Sequence, residues 1–62
     1  KNEVIKSVYG GYFVSYRNGN LETTKDIVKA TQLTMAEATE QKETLMRVLP
    51  HYEWKIETYH GK

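Results

Sequence analysis

The clearest alternation of apolar and polar positions lies late in the chain. There Tyr52, Trp54, Ile56 and Thr58 fall on one side of an extended backbone and Glu53, Lys55, Glu57 and Tyr59 on the other. Two further extended runs, Val4-Ile5-Lys6-Ser7-Val8-Tyr9 and Tyr12-Phe13-Val14-Ser15-Tyr16-Arg17, are rich in β-branched and aromatic residues. Gly10-Gly11 separates them and Asn18-Gly19 follows the second, and both dipeptides tolerate the positive φ of tight hairpins. Two-residue turns at these sites predict a three-stranded meander with Tyr9 opposite Tyr12, Ser7 opposite Val14, Ile5 opposite Tyr16, Tyr16 opposite Leu21 and Val14 opposite Thr23.

In that register Ile5, Tyr9, Tyr12, Val14, Tyr16, Leu21 and Thr23 share the face expected to be buried. Val4, Lys6, Val8, Phe13, Ser15, Arg17, Glu22 and Thr24 share the other. Ile27 to Leu33, with Ile27, Val28 and Thr31, reads as a strand or a bulged continuation. Thr34-Met35-Ala36-Glu37 matches a capping box and predicts a helix from Met35 to about Leu49, stopped by Pro50. Its inward stripe is expected to be Met35, Ala38, Leu45, Val48 and Leu49. The fold class that follows is α+β: a small, twisted, mostly antiparallel sheet of three to five strands with one helix packed on one face. With no linker, repeat or low-complexity tract, residues 1–62 read as a single small domain.

Size narrows the chemistry. A chain of 62 residues buries only about 60% of the surface its unfolded form exposes, which leaves little room for a deep catalytic pocket. The sequence has no cysteine, so disulfides, thiolate metal sites and cysteine nucleophiles are excluded. No apolar run approaches the length of a membrane span, so no membrane association is expected. Lys and Arg number 9 against 8 Asp and Glu, a net charge of +1 that does not announce a nucleic-acid partner. His51 and His60 bracket the last strand at opposite ends, too far apart to share a metal. Glu37, Glu40 and Glu43 recur along the helix as a solvated face, with no cleft to shift a carboxyl toward acid-base work. The reading is therefore of a protein that is not an enzyme, with no catalytic residue, no metal site and no cofactor.

Recognition is the remaining class. Tyr9, Tyr12, Phe13, Tyr16, Tyr52, Trp54 and Tyr59 are many aromatics for a domain this small. Those on solvated faces beside cations could anchor a partner. The candidate partner-binding residues are Val8, Phe13, Arg17, Lys55 and Tyr59. A thin core also makes self-association into a homo-oligomer expected, because pairing sheet edges buries area that a monomer leaves wet. The alternative is DNA binding through the open face of the three-stranded sheet, with Lys6, Phe13, Ser15, Arg17 and Thr24 as the contact set.

Gly11-Tyr12-Phe13-Val14-Ser15-Tyr16-Arg17, Ala30-Thr31-Gln32-Leu33-Thr34-Met35-Ala36-Glu37-Ala38 and Tyr52-Glu53-Trp54-Lys55-Ile56 are distributed along the chain between residues 11 and 56. Their layout of hairpin, threonine-capped helix and closing strand resembles short uncharacterised accessory proteins encoded by phages and prophages of Gram-positive bacteria. That resemblance implies an accessory function in the cytoplasm of an infected or lysogenic bacterium: binding a host protein, antagonising a defence system or adjusting transcription. Tyr12, Tyr16-Arg17, Asn18-Gly19 and the helix opening Thr34-Met35-Ala36-Glu37-Ala38 also resemble the arm-binding DNA domain of phage tyrosine recombinases. This second likeness implies a sheet face laid in the major groove, and it departs from that pattern at Glu22 and in its closing strand.

Overall fold

The computed structural model describes residues 2–60. Four strands, β1 (Glu3–Ser7), β2 (Tyr12–Arg17), β3 (Asn20–Thr24) and β4 (Trp54–Thr58), form one antiparallel sheet in the order β3-β2-β1-β4. A single helix, α1 (Met35–Val48), packs on β1 and β4. This is the α+β class expected from the alternation and the capping box.

The second turn forms as its residues dictate. Asn18 at φ 51° and Gly19 at φ 81° put both central positions in the left-handed region, the requirement of the tight hairpin turn whose twist matches the strands. Arg17 then pairs with Asn20 and Tyr16 with Leu21, as expected. A bulge between Phe13 and Ser15 shifts the ladder farther up, so Phe13 rather than Val14 lies opposite Thr23.

The first turn differs from expectation. Ser7 Oγ accepts the Tyr9 N–H at 3.0 Å, Gly10 N–H donates to Ser7 O at 2.9 Å, and Ser7 N–H donates to Gly11 O at 2.7 Å. The loop is thus Val8-Tyr9-Gly10, closed by Gly10 at φ 108°. Lys6 pairs with Tyr12, which places β1 three residues from the expected register. An odd shift reverses faces. Phe13 therefore joins Ile5 on the helix side, whereas Tyr12 and Val14 move to the other. Below the bulge the faces return to those expected, with Tyr16 and Leu21 against the core.

Ile27 to Leu33 does not continue the sheet as a strand. Asp26 N–H donates to Thr24 Oγ1, and the Asp26 carboxylate accepts the Val28 N–H at 3.0 Å, capping a short 3-10 turn at Ile27–Lys29. The chain then inserts where β1 and β2 part. Thr31 N–H donates to Phe13 O, Thr31 Oγ1 donates to Val14 O at 2.6 Å, and Leu33 exchanges both backbone bonds with Glu3. These bonds satisfy backbone groups that the two strands would otherwise give each other.

The helix begins as expected: Thr34 Oγ1 accepts the Glu37 N–H at 3.1 Å and Glu37 Oε1 accepts the Thr34 N–H at 3.0 Å. It ends at Val48, two residues before Pro50, with Leu49 as the cap. Ala38 and Leu45 are buried and Leu49 packs beside them, but Met35 and Val48 face solvent, so the inward stripe is narrower than expected. The core is Ile5, Phe13, Ala38, Leu45 and Trp54, flanked by Tyr16, Leu21, Leu33, Leu49, Tyr52 and Ile56. Val4, expected on an open face, is fully buried outside this cluster.

Candidate functional site

An aromatic series runs from the core to solvent at the end of the sheet where the first hairpin turns. Phe13 meets Trp54 edge-on, with centroids 6.5 Å apart at 89°. Trp54 stacks on Tyr52 at 5.2 Å and 17°, and Tyr52 meets Tyr9 edge-on at 6.2 Å and 83°. Such contacts contribute about 0.5–1.5 kcal/mol each beyond the area they bury. The series therefore fixes the outermost ring from a rigid interior. Tyr9 is 74% exposed although its hydroxyl reaches the His51 carbonyl at 3.4 Å. Val8 beside it is 45% exposed, while its N–H is tied to Glu53 O at 2.8 Å.

Tyr9 and Tyr52 form one wall of a groove of about 340 Å³. Ser7, Gly11, Thr23 and Lys25 complete it. Ser7 and Thr23 reach it because the observed register puts both on the helix side of the sheet, at the end beyond β1 and β4 where α1 packs. The groove combines aromatic walls, hydroxyl donors and one ammonium group. Such a surface can hold an apolar side chain against the rings while Lys25 faces an acidic group.

The structure scatters the expected partner-binding residues. Phe13 is 5% exposed and belongs to the core, so its place as a contact residue is corrected: the three-residue loop turned its face inward. Val8 sits at the hairpin tip, Arg17 at the opposite end beside the second turn, and Lys55 on the sheet face away from α1. Tyr59 is partly buried just past β4, its N–H donating to Asn2 O. Only Val8 lies near the aromatic groove.

Of the expected DNA-contact set, Lys6, Ser15, Arg17 and Thr24 do share the face away from α1, and Phe13 does not. The cations there are already engaged or balanced. Lys6 Nζ lies 4.0 Å from Glu57 and 5.7 Å from the centre of the Tyr12 ring, and Ser15 Oγ is 3.4 Å from Glu22. Glu22 and Glu57 on this face oppose Lys6, Arg17 and Lys55, leaving little field for a phosphate backbone.

Sequence reasoning missed Tyr9 as a surface residue, having placed it on the buried face, whereas Tyr52 is half-buried, packed against the core as well as against Tyr9. The signal was Ser7-x-Tyr9-Gly10, a serine two residues before the amide that it captures and a glycine to close the turn. Among the described residues no group of three or more His, Asp or Glu side chains could hold a metal, and no helix is long and apolar enough to cross a membrane. No family model, curated protein or solved structure matches this chain, so its functional reading rests on this geometry.

Proposed function

We propose that this chain is a non-enzymatic binding module that recognises another protein through the hairpin end, with Tyr9 as the anchor and Val8 and Tyr52 around it. The observation that carries the reading is Tyr9: a large aromatic, mostly in solvent, that rests edge-on against Tyr52 and reaches the His51 carbonyl. An exposed ring restrained before binding loses less conformational freedom on association, which is the property of residues that dominate interfaces. The layout resemblance points to a host or defence protein of a phage-infected bacterium as the partner class. The polar sheet face is the alternative surface, for DNA.

Capture from bacterial lysate with the parent protein, Tyr9→Ala and the pair Lys6→Ala/Arg17→Ala tests this, each run with and without nuclease. The expected result is a stoichiometric protein that survives nuclease, is lost with Tyr9→Ala and is retained by the lysine-arginine pair. Recovery that ignores Tyr9 and vanishes with nuclease or with the cation substitutions overturns the protein reading in favour of DNA.

A further inference from the structure

The two edges of the sheet differ in what they offer a neighbour. At β4, Val8 N–H donates to Glu53 O at 2.8 Å and Tyr59 N–H donates to Asn2 O at 2.6 Å, so the odd-numbered residues of this segment point their backbone groups at β1. The N–H and C=O groups of Trp54, Ile56 and Thr58 therefore point outward, and among the described residues no backbone partner meets them. An open strand edge is a template for another strand.

We infer that a second copy of this chain covers that edge, β4 pairing antiparallel with its counterpart about a two-fold axis at Ile56. The register is set by two independent features. Hydrogen-bond phase requires the outward residues to face one another, and centring on Ile56 pairs Ile56 with itself and Trp54 with Thr58. Charge and strand overlap then select among the registers that satisfy phase, since centring on Trp54 also opposes unlike charges, Lys55 to Glu53, but overlaps β4 with its copy only at Trp54. Centring on Ile56 sets Lys55 directly across from Glu57 of the copy, twice, on the sheet face away from α1. Centring on Lys55 or on Glu57, the adjacent registers of correct phase, sets like charges opposite each other, which is unfavourable.

Glu57 already has Lys6 at 4.0 Å, and in the pair it lies between Lys6 of its own chain and Lys55 of the copy. The other edge has no such match. β3 (Asn20–Thr24) carries one ionisable residue, Glu22, so no register of β3 on itself gives an opposite-charge pair. The inference is independent of the Tyr9 surface.

Sedimentation velocity on the parent protein from low micromolar to submillimolar concentration tests it, together with Lys55→Glu and the swap Lys55→Glu/Glu57→Lys. Lys55 faces Lys6 within its own chain, so a glutamate there pairs with Lys6 and leaves the monomer folded, which a circular dichroism melt verifies. The expected result is a dimer for the parent, a dissociation constant raised at least about tenfold by Lys55→Glu, and recovery in the swap. As a check on register, Lys55→Cys and Glu57→Cys proteins should cross-link when mixed and not singly, because cysteine is otherwise absent from the chain. A parent that stays monomeric throughout overturns the inference and leaves the edge to a strand of some other protein. So does a folded Lys55→Glu variant that dimerises as well as the parent, or a folded swap that does not recover.

Discussion

The sheet has two halves held by different physics. β1 and β4 lie under α1 and supply Ile5 and Trp54 to a cluster with Ala38 and Leu45, all buried. In β2 and β3 only Phe13 is buried. The helix-backed half is stabilised by apolar burial, at about 1.5–3 kcal/mol for each large side chain removed from water. The hairpin half depends more on local chemistry: Asn18-Gly19 in the left-handed region and the Thr31 bonds to Phe13 and Val14, with Phe13 in the shared core and Tyr16 and Leu21 half-buried beside it. A domain this small has one region held mainly by packing and another held as much by its turn and loop hydrogen bonds. The candidate binding end sits where the two meet.

Substitutions can break or sharpen that contrast. Trp54→Ala should have the largest effect, a loss of about 3–5 kcal/mol in urea denaturation, enough to unfold a domain of this size. Phe13→Ala should come close to it, about 3 kcal/mol, because Phe13 is where the hairpin half joins the core. A small loss there would return Phe13 to the open face and undo the observed register. Gly19→Ala, at φ 81° with no atom near the added Cβ, should cost about 1–2 kcal/mol through backbone strain alone. A thermal melt would detect that as a loss in the hairpin half that owes nothing to packing. Thr34→Ala should cost about 1 kcal/mol by removing the helix cap. Tyr9→Ala should cost about 0.5–1 kcal/mol, the edge-on contact with Tyr52, while abolishing partner capture. A Tyr9 variant that unfolds instead would make the aromatic series a stability device and not a binding surface.

Legibility followed the same division. The second hairpin was readable because both of its central residues declare the turn, and the helix start was readable because Thr34 and Glu37 satisfy each other's amides. The alternation in β4 put Trp54 and Ile56 on one side of the strand, and that side lies against the core. Gly10-Gly11 misled, since Ser7 captures the Tyr9 amide and starts the turn earlier than the glycine pair suggests. Ile27 and Val28 misled as well, since the Thr24 and Asp26 side chains bend the chain before any strand can form. The candidate site inherited the first error: Phe13 was expected outside and is inside, and Tyr9 was expected inside and is outside.

By itself the sequence determined the features that depend on a few neighbouring residues: one capped helix, the Asn18-Gly19 turn, an alternating last strand and the absence of cysteine chemistry. Those are settled by local hydrogen bonds and backbone sterics, which act within a single turn of chain. Only the tertiary structure decided the β1–β2 register, the insertion of Thr31 and Leu33 between those strands, and the joining of β4 to β1. Each of these is a competition between distant segments for the same backbone groups and the same core, and its outcome depends on all of them at once.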